Sequence, residues 1–136
     1  MTISPALAAV ALYAGLNALI LGWLSAHVGR VRGRLKIYMG DQGHPLMIRA
    51  MRGQANFVEY VPMALILLLV TALMGAPAIA VHALGGALVI GRVLHALHFT
   101  AADAPAWQRG VGAALTIFVV MAAGIGAIAH SLFALY

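Results

Sequence analysis

A chain of 136 residues with eight Lys and Arg, three Asp and Glu and no cysteine carries a formal net charge of +5, yet only 8% of its residues are charged. Soluble domains average about 25% charged residues, and 64% hydrophobic residues with a mean hydropathy of +1.01 exclude that class. The absence of cysteine rules out disulfides, thiolate metal sites and a cysteine nucleophile, so any thiol chemistry has to come from a substrate.

Four apolar runs approach the ~20 residues needed to cross a bilayer. They are continuous rather than alternating, which favours helices over barrel strands. The first covers 5 to 28 and leads into Arg30, Arg32, Arg34 and Lys36. It has no basic segment ahead of it and is too long for a signal-peptide core, so it reads as a retained span. Asn17 within it is expected to hydrogen-bond to another helix.

Gly40-Asp41-Gln42-Gly43 marks the turn into the second span, 45 to 74, whose first half breaks the apolar pattern with Arg52-Gly53-Gln54-Ala55-Asn56-Phe57-Val58-Glu59-Tyr60-Val61-Pro62. A helix advances about 100° per residue, so Arg49, Arg52, Asn56 and Glu59, with Tyr60 close by, fall within roughly a quarter-circle. Isolated charges in lipid are costly, which makes such a stripe a functional hypothesis by default. Two arginines can grip carboxylates, Asn56 and Gln54 offer donors and acceptors, and Glu59 can hold an amine. A small zwitterion with more than one carboxylate satisfies that set. Pairing of Arg with Glu, merely to make burial tolerable, is the structural alternative.

Gly75-Ala76-Pro77 precedes the third span, 78 to 97, and Ala102-Asp103-Ala104-Pro105 precedes the fourth, 107 to 135. Small residues at Gly85-Gly86, Gly91, Gly112-Ala113-Ala114 and 122 to 127 permit close helix approach, within a subunit or between subunits. His95 and His98 have the spacing to share a metal ion, but two ligands without a nearby carboxylate pair make a weak site, and no metal is expected.

Lys and Arg flank the first and third loops and are missing from the second loop and both ends, which places the termini in the periplasm and the basic loops in the cytoplasm. Trp23, Trp107 and Tyr136 read as interfacial residues. The basic face should attract membrane lipid headgroups or small anions, whereas nucleic acid is not an expected partner. Short loops without a retrieval signal favour a bacterial inner membrane.

The pattern Arg52-x-Gln54-x-Asn56-x-x-Glu59-Tyr60-x-Pro62 resembles the signature of the MAPEG family, the membrane-associated proteins in eicosanoid and glutathione metabolism. Arg30-Val31-Arg32, the Gly40-Asp41 turn and Gly91-Arg92-Val93-Leu94-His95-Ala96-Leu97 resemble its short bacterial branch, so the likeness covers nearly the whole chain. It implies an all-α integral membrane four-helix bundle forming a homotrimer, with glutathione as co-substrate between neighbouring subunits. By the same resemblance Arg52, Gln54, Asn56, Glu59 and Tyr60 contact glutathione, Arg30 approaches it and His95 borders the site. Arg109 matches the thiol-activating arginine near the start of the fourth helix, and Arg92 is the second candidate. Phe99 stands where the eicosanoid enzymes have Tyr.

The implied activity is a transferase or peroxidase that directs glutathione thiolate at lipophilic electrophiles or lipid hydroperoxides. A glutathione-binding or structural membrane protein without turnover is the alternative. A small multidrug exporter is a third reading, but such exporters carry their acid in the first span, whereas Glu59 lies in the second beside arginines that would repel a cationic drug.

Overall fold

The computed structural model describes residues 3–135, in which helices α1 (Pro5–Leu35), α2 (Pro45–Leu73), α3 (Ala78–Thr100) and α4 (Ala106–Leu135) are the only regular elements. Their boundaries follow from local chemistry. Ser4 caps α1 by accepting from the Leu7 amide at 3.2 Å, ahead of Pro5. Lys36 closes it in the left-handed region at φ 56°, its amide returning to the Arg32 carbonyl. The turn that follows needs positive φ at Gly40, Gln42 and Gly43, and Asp41 Oδ1 fixes it by accepting from the Gly43 amide at 2.8 Å.

The first helix runs to Leu35, seven residues past the apolar pattern, so Arg30, Arg32 and Arg34 are helical rather than part of the loop. Hydropathy marks the stretch that lipid surrounds, whereas the backbone ladder continues into water. At about 1.5 Å per residue, the 31 residues of α1 extend roughly 46 Å, beyond a hydrocarbon core of about 30 Å. The third helix likewise runs on to Thr100, while the ends of α2 and α4 differ from the expectation by one residue. Arg32 then staples the α1–α2 connection: its Nη1 donates to the carbonyls of Ile37 at 3.2 Å and Gly40 at 2.8 Å.

The third helix packs against both α1 and α4, and α2 against all three, while α1 and α4 do not meet. The core is a column of small clusters, from Ala9, Leu68 and Val81 at one end, through Leu24, Phe57 and Ala96, to Val28, Met47 and Ala50 at the basic end. Only 28–33% of the most apolar stretch of each helix is buried inside the subunit. Leu19, Met63, Ile66, Ile90, Phe118 and Met121 all point outward. Such a surface is stable against hydrocarbon and not against water, so this is an integral membrane protein.

The small residues divide between two uses. A Cβ on Gly85 would overlap the Tyr13 ring, and one on Gly112 would meet the Gly91 carbonyl oxygen at 2.6 Å, so these glycines seat α1 on α3 and α3 on α4. Gly15, Gly22, Gly29 and Gly126 have nothing within 4 Å and leave open helix surface.

Asn17 departs from expectation: its Nδ2 donates to the Tyr13 carbonyl of its own helix at 2.9 Å. The residue is only 1% exposed and its Oδ1 is buried without a partner, because its surroundings on α2 are apolar side chains that offer no donor. Above it, the Tyr13 hydroxyl and His82 Nδ1 lie 3.1 Å apart and tie α1 to α3. Pro62 inside α2 lacks an amide, which removes the usual helical donor for the Val58 carbonyl. Trp107 is 57% exposed at the start of α4, and Tyr136 lies outside the described residues.

Candidate functional site

The polar run of α2 distributes its side chains over two sides of the helix. Arg52, Glu59 and Tyr60 point outward, and no hydrogen bond or ion pair forms at Glu59 among the described residues. The simple Arg–Glu pairing considered from sequence is therefore not what α2 does. The outward row continues as Met63, Ile66 and Val70, so a charged and hydrogen-bonding patch sits at one end of a lipophilic helix face.

Asn56, half-buried between Arg52 and Tyr60 on the same side of the helix, is met by Arg92 of α3, which donates from Nη1 to its Oδ1 at 2.9 Å. Arg92 is 1% exposed, its Nη2 donates to the Gly112 carbonyl of α4 at 3.2 Å, and its Nε is buried without a partner. Close approach of Gly91 and Gly112 makes this possible, since any larger residue would hold α4 away from the arginine. Thr116 donates to the same Gly112 carbonyl at 2.8 Å. Asn56, Tyr60, Arg92 and Thr116 thus surround a small recess of about 40 Å³ between α2 and α4.

Arg49 is diverted from the stripe. Its Nη2 donates to the carbonyls of His98 and Ala101, capping the C-terminus of α3, and its guanidinium lies 5.8 Å from the centre of the Phe99 ring. Gln54 lies about 200° around the helix from Arg52 and donates from Nε2 to Ser25 Oγ of α1 at 2.8 Å. Arg30 is exposed on α1 and, among the described residues, bonds only to the Ala26 carbonyl of its own helix. Gln54 and Arg30 therefore belong to the α1 side of the subunit, away from the Arg52–Glu59 face.

His95 is 4% exposed and packs against Gly112 and the Phe99 ring, with ring centres 4.8 Å apart in the aromatic pair. Phe99 is wedged over Gly53, where a Cβ would come within 2.7 Å of its own, so this ring fills the α2–α3 contact. His98 Nδ1 is turned to the Pro105 carbonyl at 3.2 Å, and among the described residues no three His, Asp or Glu gather as metal ligands. Arg109 is exposed in the first turn of α4. Sequence reasoning ranked Arg92 second and missed Thr116; the signal available was a lone arginine beside Gly91 in an otherwise apolar helix, matched by a second glycine in α4.

A charged face on α2, an arginine behind it and small residues that let α3 and α4 close around that arginine can be compared with known proteins. The MAPEG family model matches residues 10–129. The chain belongs to the MAPEG family. Two curated relatives are similar, both described as inner membrane protein YecN, from Escherichia coli strain K12 and from Escherichia coli O6:H1 strain CFT073. Each is 40% identical over 85 residues, which is 62% of this MAPEG chain and 65% of the relative. The match thus leaves about a third of each relative's length uncovered, and their name specifies no reaction.

Proposed function

We propose that this MAPEG protein is a glutathione-dependent transferase or peroxidase of a bacterial inner membrane, acting on lipophilic electrophiles or lipid hydroperoxides. The observation that carries the reading is the outward face of α2: Arg52, Glu59 and Tyr60 are exposed, with Glu59 free of any partner among the described residues, beside an Asn56 whose amide Arg92 orients. Glutathione has two carboxylates and one amine. Glu59 suits the amine, Arg52 a carboxylate, and the Nδ2 of Asn56 remains free to donate because Arg92 occupies its oxygen.

One subunit does not bring the whole set together. Arg30 and Gln54 can reach a ligand on the Arg52 face only from another copy, and a head-to-tail arrangement of that kind forms a ring where its rotation closes. A homotrimer with glutathione between neighbours fits that geometry. Arg109 then lies at the same basic end of the fold as Arg52. A guanidinium beside the sulfur favours thiolate over thiol, each unit of lowered pKa corresponding to about 1.4 kcal/mol. His95, buried against Gly112 and Phe99, borders the site beside Arg92.

The thiolate attacks an electrophilic carbon, forming a C–S bond while the leaving group departs with its electron pair. With a hydroperoxide, sulfur takes the distal oxygen, the O–O bond breaks and the alkoxide is protonated to the alcohol. The resulting sulfenic acid condenses with a second glutathione to give disulfide and water. A lipophilic partner can approach along Met63 and Ile66 from the bilayer. The basic ends of the helices support a cytoplasmic site with periplasmic termini, and the name of the relatives supports the inner membrane.

Binding of glutathione without turnover is the second reading, favoured by Phe99, which has no hydroxyl to offer the sulfur. Ultraviolet difference absorbance of detergent-purified protein mixed with glutathione separates the two. The enzyme reading expects a thiolate band near neutral pH that Arg109→Ala abolishes while calorimetric binding persists. Tight binding with no thiolate band favours the binder, and absence of binding overturns both.

A further inference from the structure

At the basic end of the bundle, the last turns of α1, the first turn of α2 and the end of α3 leave an open groove of about 170 Å³. Its walls are apolar, formed by Val31, Leu35, Leu46 and Phe99, and three cationic or titratable side chains, His27, Arg34 and Arg49, reach into the same space. We infer that this groove binds the phosphate and upper acyl chain of an anionic phospholipid.

The charge count is one-sided. The acids of the chain are Asp41, Glu59 and Asp103, and none of them lines the groove. Arg34 is exposed and makes no side-chain hydrogen bond among the described residues. Arg49 gives Nη2 to the end of α3, yet its Nε is buried without a partner and among the described residues no carboxylate neutralises the guanidinium. The concentration of positive charge is therefore complementary to an anion.

The walls decide which anion. The groove lies just past Val28, where the apolar run of α1 gives way to basic residues, and so at the level where hydrocarbon meets headgroups. A water-soluble anion would satisfy Arg34 and Arg49 but leave Val31, Leu35 and Leu46 facing water. A phospholipid covers both at once, its phosphate on the arginines and its first methylenes on the aliphatic wall. The neighbouring basic residues do not compete for it: Arg32 is spent on the carbonyls of Ile37 and Gly40, and Lys36 caps α1 and does not line the groove. None of the residues proposed to hold glutathione lines it either, so the site stands or falls independently of that activity.

Native mass spectrometry of the detergent-purified full chain, equilibrated with equal amounts of phosphatidylglycerol and phosphatidylcholine, tests the inference. The wild type should retain phosphatidylglycerol in preference. Arg34→Gln should weaken that retention roughly tenfold, and Ala102→Phe, which fills the mouth of the groove from the exposed α3–α4 loop, should abolish it. Lys36→Gln removes the same charge outside the groove and should retain lipid as the wild type does. Equal losses in Arg34→Gln and Lys36→Gln would mean diffuse attraction and overturn the site. Equal retention of phosphatidylcholine would overturn the role of the headgroup charge. Displacement of the lipid by an equal concentration of glycerol phosphate would make the ligand a soluble anion and overturn the phospholipid.

Discussion

Alanine at Gly112 is the substitution for which the packing gives the sharpest expectation. The added Cβ would lie 2.6 Å from the Gly91 carbonyl oxygen and 2.9 Å from both the backbone nitrogen and the Cβ of His95, so two of its three closest neighbours are backbone atoms of α3 that no rotamer change can move. Ordinary contact begins at 3.4 Å, and restoring it needs the helices to part by 3.4 − 2.6 = 0.8 Å. Overpacking of this kind costs typically 1–3 kcal/mol, and rigid neighbours place Gly112 near the upper figure, about 3 kcal/mol. Better helix propensity returns about 1 kcal/mol, leaving a net loss of roughly 2 kcal/mol. Separation also stretches the Arg92–Gly112 hydrogen bond from 3.2 Å past the usual limit. Equilibrium unfolding in mixed micelles of rising SDS fraction, followed by circular dichroism, measures the effect. Gly124→Ala on the same helix is the control, because its Cβ would meet only Leu67 at 3.9 Å, and it should be neutral or slightly stabilising. A Gly112→Ala protein as stable as that control would refute the proposed α3–α4 crossing and the placement of Arg92 built upon it.

Arg92→Met should leave stability nearly unchanged, since a buried cation without an acidic partner gives up its desolvation cost when replaced by an apolar chain of similar length. Glutathione binding measured by calorimetry should nevertheless weaken by roughly tenfold, because Asn56 loses the donor that orients it; unchanged affinity would show that Asn56 needs no such guide. Arg49→Ala frees the carbonyls of His98 and Ala101 and should destabilise the end of α3 by about 1–3 kcal/mol. Hydrogen exchange should then quicken around Leu97 to Ala101 and stay unchanged in the middle of α3, whereas uniform protection would deny Arg49 its capping role.

Four membrane helices were legible because hydropathy reports contact with lipid, and lipid surrounds most of each span. Helix ends were less so, since the backbone ladder of α1 continues through Arg30, Arg32 and Arg34 after lipid contact has ceased. Periodicity grouped Arg52, Asn56, Glu59 and Tyr60 on one side of α2, and three of these four are exposed; spacing fixes which residues of a helix share a side, though not whether that side looks outward. It could not anticipate that Arg49 would swing to the carbonyls ending α3, or that Gln54 would find Ser25 on α1, because both depend on which helices become neighbours. Arg92 stood out as a charge in an apolar run, yet its link to Asn56 relies on a helix crossing set by two glycines far apart in sequence. Asn17 shows the opposite limit: a polar residue in a span invites an interhelical bond, and its own backbone answered first.

Glu59 makes the empty protein the weaker state. With no partner among the described residues, its carboxylate on an outward helix face costs, in hydrocarbon, about 2.5–3.5 kcal/mol on insertion scales until something covers it. A ligand that does so at a hundred times its dissociation constant adds about 2.7 kcal/mol to the folded side, a contribution of the same size. Under the proposed function, supply of that ligand would also set how much of the chain survives proteolysis in the membrane.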